Sequence, residues 1–309
     1  MKQTTAVLLM AYGSPNSLEE VGEYLRQVRG GRSPSDAEVN RLRERYRQVG
    51  GRTPLLQITM AQAEALQKCL NSTEVPVGVY VGMKHWHPFV EETVANIAKD
   101  EVSSLIGLAL APHYSKLSIE GYEDAVRRGL DKTRPISFSM IRSWHRQPHL
   151  IEALSRRVRE GLDIMKGSGD TAVLFTAHSL PKKFVSADDP YQAQLRETSM
   201  LVAREAGVDF WDFAFQSAGE PAESWLGPLI KEKLSQLSKE AFRQVLICPV
   251  GFVSDHLEIL YDLEIEAKEY GRSLGMTVTR TPSLNDDPRF IEALAETVKP
   301  LLTAHAAVA

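Results

Sequence analysis

Residues Ala6–Pro15 read AVLLMAYGSP: five apolar side chains without a polar interruption, then Ala-Tyr-Gly-Ser-Pro. A strand buried on both faces shows such an unbroken run, whereas a half-exposed strand alternates, so the spelling points to a parallel sheet covered by helices. Working outward, similar runs recur as VGVYVGM from Val77, SLIGLALA from Ser104, ISFSM from Ile136, TAVLFTA from Thr171, FWDFAFQ from Phe210, QVLICPV from Gln244 and MTVTR from Met276. Helix-patterned segments lie between them. Ser17-x-x-Glu20 and Ser35-x-x-Glu38 spell capping boxes, and Gly50-Gly51 closes the helix carrying Arg41, Arg45 and Tyr46.

This alternation predicts an α/β protein of two Rossmann-like lobes, each a four-stranded parallel sheet flanked by helices, with the active cleft between them. The first lobe is expected over residues 1–148 and the second over 149–285, with the KGSGD turn at 166–170 leading into the fifth strand. A last helix within 286–309 is free to pack back on the first lobe. No sequence repeat stands out beyond the strand-helix rhythm.

The bulk properties exclude several classes. Thirty-six Lys+Arg against forty Asp+Glu give a formal charge of −4 without any long run of one sign, which argues against a nucleic-acid partner. Cys69 and Cys248 are far apart and form no metal-binding or disulfide pattern, in keeping with a reducing, cytoplasmic setting. The apolar run near the N-terminus is too short for a signal segment or a membrane span, so a soluble chain without stable membrane insertion is expected. There is no GxxxxGK[ST] loop, no GxGxxG after the first strand and no GxSxG elbow, and nucleotide and hydrolase chemistry lose support accordingly.

In open parallel sheets, ligands bind beyond the carboxyl ends of the strands. Those ends carry Tyr12, the run Lys84-His85-Trp86-His87, Pro112-His113-Tyr114, His178 and Gln216-Ser217. Each has a plain structural alternative: Tyr12 as a packed loop aromatic, His178 as a hydrogen-bonded core histidine, and His85 with His87 as exposed loop residues instead of a shared metal pair. His145 and His149 read as structural. After QVLICPV comes DHLEILYDLEIEAKEYG, Asp255–Gly271, which on a helical period stacks Glu258, Asp262 and Glu266 four residues apart. Like charges at that spacing repel, and Lys268 is the only cation within one turn. Imidazole and carboxylate donors without thiolates suit a divalent metal held loosely enough to move on, so the ladder reads as a delivery path.

Five motifs, AHSLP around His178, VGFVSDHLEILYDLEIE around Glu258, FQSAG followed by WLGP, GGRTPL and APHYS, resemble those of ferrochelatases in that family's order and over nearly the whole chain. The resemblance implies insertion of ferrous iron into a porphyrin that loses two protons. It makes His178 and Glu258 the iron-contacting, proton-handling pair, with Asp262 and Glu266 continuing the acidic path outward. It places Tyr12 on the opposite face as an axial ligand and assigns porphyrin propionates to Arg29, Arg45, Tyr46, Thr53 and Tyr122. Lys84, His85, Ser217 and Trp225 are further candidates. No tightly bound cofactor and no iron–sulfur cluster are implied, and the partner the resemblance suggests is a downstream haem-pathway enzyme. Where relatives have two adjacent arginines, this chain reads Arg29-Gly30-Gly31-Arg32, one cation fewer.

Coproporphyrin III is the expected ring, with protoporphyrin IX as the alternative. Ala11-Tyr12-Gly13 resembles the Gram-positive-type enzymes, and four propionates suit a cationic, hydroxyl-bearing rim. More distant alternatives are a cobalt or nickel chelatase of a sirohydrochlorin-type ring and a non-catalytic, two-lobed haem- or metal-binding protein.

Overall fold

The computed structural model describes residues 5–71, 77–100, 102–165 and 171–307, and the expected turn at 166–170 lies outside them. Eight strands form where the apolar runs predict them: β1 Thr5–Ala11, β2 Gly78–Met83, β3 Ser104–Ala109, β4 Ser137–Ile141, β5 Thr171–His178, β6 Trp211–Gln216, β7 Gln244–Cys248 and β8 Thr277–Arg280. They make two parallel four-stranded sheets, ordered β2-β1-β3-β4 and β6-β5-β7-β8. The order is the same in both. The first strand of each half is central, and the second crosses to its outer side.

By packing, the chain divides into two units: Met1–Pro112 with Ser118–Trp144 and Asn285–Ala309, and His113–Leu117 with His145–Leu284. The first unit holds α1 Val21–Val28, α2 Asp36–Gln48, α3 Leu55–Leu70, α4 Val90–Lys99 and α5 Gly121–Leu130. The second holds α6 Pro148–Met165, α7 Tyr191–Ala206, α8 Ile230–Lys239 and α9 Lys268–Ser273, while α10 Pro288–Ala307 returns to the first. That return is anchored by Gln62 Nε2, which donates to the Asn285 carbonyl at 2.7 Å, and by Phe290, whose ring centroid lies 6.0 Å from that of Trp144.

Burial follows strand position. β1 and β5 are buried along almost their whole length, whereas the edge strands β2 and β4 are only partly covered. An unbroken apolar run therefore identifies the central strands, because helices cover both of their faces.

Of the two expected capping boxes, one forms. Glu38 N donates to Ser35 Oγ at 3.4 Å, and Ser35 N donates to Glu38 Oε2 at 2.8 Å. Ser17 does not play that part: α1 begins at Val21, and Glu20 reaches back to accept from Asn16 N at 2.7 Å. Gly50 and Gly51 close α2 in the left-handed region, Gly51 N donating to the Tyr46 carbonyl at 2.8 Å.

The largest departure from the sequence reading is Glu258–Ala267, a π-helix of ten residues that passes into α9. A π-helix bonds i→i+5 and usually appears as a single-turn bulge. The α-helical rise assumed for the acidic ladder therefore does not apply. Ile259, Leu263 and Ala267 on its inner side join a core with Leu174, Ala214, Leu234 and Val245.

Candidate active site

The second unit brings its chemistry to the carboxyl end of β5. His178 is the last residue of that strand, in register with Gln216 of β6. Its Nε2 lies 3.2 Å from Oε1 of Glu258, the first residue of the π-helix. His178 Nδ1 contacts the Ser179 carbonyl, so that nitrogen carries the proton and Nε2 faces the carboxylate. About a third of the His178 side chain remains exposed, which leaves the pair open to a reactant.

The electrostatics favour the ion pair. Burial by itself would lower the His178 pKa, but the Glu258 charge and hydrogen bond, with help from the Ser179 carbonyl and Asp262, raise it to about 9. Burial likewise opposes the Glu258 charge, and His178 and His256 more than reverse it, holding the carboxyl well below the usual range. The carboxylate alongside thus moves the imidazole upward from the usual histidine value near neutrality.

His256 is a residue the sequence reading passed over. Its Nε2 lies 3.5 Å from Glu258 Oε2, and its Nδ1 donates to the Ser254 carbonyl at 2.9 Å. Its only signal was adjacency, two residues before Glu258 in SDHLE. Gln216 was missed as an anchor: Thr176 Oγ1 donates to its Oε1 at 2.9 Å, and its Nε2 donates to the Glu258 carbonyl at 3.1 Å. Gly251 is required by space, since a Cβ there would sit 2.5 Å from the Ala177 Cβ, on the strand that ends in His178.

The residues of the expected ladder differ in their surroundings. Ser217 Oγ, on a backbone at φ 59°, donates to the buried Asp262, while Glu266 is half-buried. Lys268, expected as the ladder's neighbouring cation, pairs with Glu264 instead. Trp225 and Phe252 border His178, with ring centroids at 6.3 and 6.5 Å. Among the described residues no group of three or more His, Cys, Asp or Glu is arranged to hold a metal ion.

The first unit supplies hydroxyls and cations. Tyr12 follows β1, is 44% exposed, and rests against His85 with ring centroids 4.5 Å apart. Burial depresses His85 to about 4. His87 turns elsewhere, an exposed side chain with Nδ1 3.1 Å from Glu92, so His85 and His87 do not share one environment. Lys84 Nζ lies 5.0 Å above the ring of the buried Tyr122 and donates to the Ser118 carbonyl at 3.3 Å, and burial lowers it to about 8. Tyr46 and Thr53 are joined through Ser14, whose Oγ is 3.0 Å from the Tyr46 hydroxyl and 2.8 Å from Thr53 Oγ1. Arg29 is paired with Glu38, and Arg45 is half-buried one residue before Tyr46. A Cβ on Gly13, at φ +97°, would lie 2.9 Å from the Trp86 amide nitrogen, which explains a glycine directly after Tyr12.

The family model for ferrochelatase matches residues 4–301. A ferrochelatase from Herpetosiphon aurantiacus is 44% identical over 96% of this chain and 99% of its own length. A coproporphyrin III ferrochelatase from Geobacillus thermodenitrificans is 39% identical over 96% of each chain. Among solved structures, the sirohydrochlorin chelatase SirB from Bacillus subtilis subspecies spizizenii superposes with a TM-score of 0.57 at 12% identity, covering 96% of this chain and 94% of its own, a likeness of fold. No helix among the described residues is long and apolar enough to cross a membrane. The chain belongs to the ferrochelatase family, and its class of chemistry is that of a chelatase, a lyase.

Proposed function

We propose that this chain inserts ferrous iron into coproporphyrin III, with His178 and Glu258 handling the metal and the two pyrrole protons. The 3.2 Å contact between His178 Nε2 and Glu258 Oε1 carries the proposal. Pyrrole N–H groups are very weak acids, so a base must accept their protons while positive charge arrives at the ring nitrogens. The pair offers both functions: a carboxylate that attracts a dication, and an imidazole whose Nε2 proton passes to solvent through the exposed part of the side chain as the dication approaches, so that Nε2 then accepts a pyrrole proton. An imidazole and a carboxylate, without thiolates, suit a site that passes iron on.

In this reading, Asp262 and Glu266 supply iron along the π-helix, and Tyr12 offers an axial phenolic oxygen. Arg29, Arg45, Tyr46, Thr53 and Tyr122, with Lys84 and His85 nearby, bind the ring's substituents. Guanidinium forks match carboxylates bidentately, although a propionate at Arg29 has to compete with Glu38. Relatives named coproporphyrin III ferrochelatase at 37–39% identity favour the tetrapropionate ring. The reading includes a cytoplasmic enzyme without a resident cofactor.

The test is anaerobic insertion of ferrous iron into coproporphyrin III and, in detergent, protoporphyrin IX, followed by absorbance of the product. A higher kcat/KM for coproporphyrin III is expected. A preference for protoporphyrin IX overturns the choice of ring and leaves the family assignment standing.

A further inference from the structure

A ten-residue π-helix is longer than the single-turn bulge in which i→i+5 bonding usually appears, so its register calls for support from its surroundings. The inner side has it in the packing of Ile259, Leu263 and Ala267. On another side stands Arg280, the last residue of β8, with only 10% of its side chain exposed. Its Nη2 lies 3.1 Å from Asp255 Oδ1 and its Nε 2.8 Å from Glu264 Oε1, while Nη1 donates to the Thr281 carbonyl at 3.0 Å. Ser283 Oγ donates to the same Asp255 oxygen at 2.8 Å, and Lys268 also holds Glu264.

The two carboxylates that Arg280 joins bracket Glu258 and Asp262 in the chain. Asp255 precedes Glu258, and Glu264 falls between Asp262 and Glu266. One rigid guanidinium thus pins the wide helix on both sides of its first turns, whereas a lysine ammonium cannot span the same two points with fixed geometry. We infer that Arg280 is a positioning residue that fixes the register of the π-helix, and with it the spacing of Glu258 and Asp262 along the iron path. The inference rests on the proposed function, since it assigns Arg280 a part in that same reaction while placing it outside the reacting atoms.

The test compares Arg280→Gln, Arg280→Lys and Glu264→Gln in the full chain, under anaerobic insertion of ferrous iron into coproporphyrin III, below the melting temperature of each variant. Expected for Arg280→Gln is a fall of about tenfold or more in kcat/KM for iron, with the KM for porphyrin within about twofold of the parent. Arg280→Lys should recover only part of the loss. The double variant Arg280→Gln/Glu264→Gln should be no worse than Arg280→Gln alone, because both changes break one link. Iron kinetics unchanged in Arg280→Gln overturn the inference, as does an equal rise in both KM values or a loss that tracks the unfolded fraction. If Arg280→Gln fails to fold, Arg280→Lys and Glu264→Gln carry the same comparison. Glu258→Gln is the control: should it be fully active, the proposed function itself falls, whereas an inactive Glu258→Gln beside a normal Arg280→Gln removes only the clamp.

Discussion

The two units share one plan and divide the work. Each has its first strand at the centre, in the orders β2-β1-β3-β4 and β6-β5-β7-β8, and each presents its most distinctive side chain just at or after that strand's end: Tyr12 after β1 and His178 on β5. The likeness extends to details. Met83 N donates to the Pro88 carbonyl at 2.7 Å and Phe215 N to the Pro228 carbonyl at 2.8 Å. Then Phe89 N donates to Glu92 at 3.1 Å, and Leu229 N to Glu232 at 2.7 Å. A π-helical stretch follows the third strand in both halves, Lys116–Glu120 and Glu258–Ala267. One scaffold thus offers hydroxyls and cations at one set of strand ends and an imidazole-carboxylate pair at the other. What differs is the side chains and the loop after the second strand, which in the second half is lengthened to carry Ser217 and Trp225.

If the division holds, substitutions in the two halves fail in different ways. The largest effect belongs to the second unit. His178→Ala and Glu258→Gln should each lower iron insertion by about 10²–10⁴-fold while leaving porphyrin affinity within about tenfold. Tyr12→Phe removes one oxygen from the first unit and should retain insertion within about tenfold. Single-turnover absorbance with ferrous iron reads all three, and a Tyr12→Phe variant as inactive as His178→Ala would break the comparison. A smaller effect sharpens it: Arg45→Ala should raise the KM for porphyrin roughly tenfold with kcat little changed, as loss of one charge-assisted contact predicts. Asp262→Asn with Glu266→Gln should do the reverse, raising the KM for iron and sparing that for porphyrin. Unchanged iron dependence in that double variant removes the delivery path.

How much of this the sequence revealed depends on what left a periodic trace. The central strands were legible as unbroken apolar runs, the edge strands as interrupted apolar runs set in the same strand-helix rhythm, and the motifs around His178 and Glu258 pointed to the pair. The π-helix was not legible, since Ile259, Leu263 and Ala267 satisfy an α-helical stripe equally well, and nothing in composition distinguishes i→i+4 from i→i+5 bonding. Nor was the repeated Pro-[Phe/Leu]-[Val/Ile]-x-Glu spelling at Pro88 and Pro228 recognised, being too short to stand out as a repeat. Nothing local marks Arg280, because its two carboxylate partners lie elsewhere in the chain. Ser217 could not be foreseen as left-handed, since no local rule puts a serine there.

Stability should mirror the same plan, because each unit has a glycine behind its key side chain. Gly251→Ala drives a Cβ to 2.5 Å from the Ala177 Cβ, and Gly13→Ala places one 2.9 Å from the Trp86 nitrogen on a backbone at φ +97°. Overpacking and strain of this kind cost about 1–3 kcal/mol each, which urea unfolding measures directly. A Gly13→Ala variant as stable as the parent would show that this strand end is looser than its counterpart.

An effect visible only as a pH dependence concerns a histidine outside the chemistry. His113 is buried, its Nε2 2.8 Å from Thr198 Oγ1, and burial together with the neighbouring His145 lowers its pKa to about 3. The groups facing this corner are the imidazole of His145, 2.9 Å from the Glu197 carboxylate, and the guanidinium of Arg146, 3.2 Å from the same carboxylate. Below the unfolded value of about 6.5, the unfolded chain binds a proton that folded His113 refuses. Its contribution to stability is therefore complete above pH 6.5 and is lost progressively as the pH falls toward 3, by at most about 1.4 kcal/mol per pH unit. Glutamine can keep a donor or acceptor near Thr198 without titrating. His113→Gln should accordingly flatten the acid limb of the stability profile by that slope between pH 6.5 and 4, whatever it costs at neutral pH. Parallel profiles for parent and variant, measured by urea unfolding at fixed ionic strength, would mean that the corner opens to admit the proton without unfolding the chain.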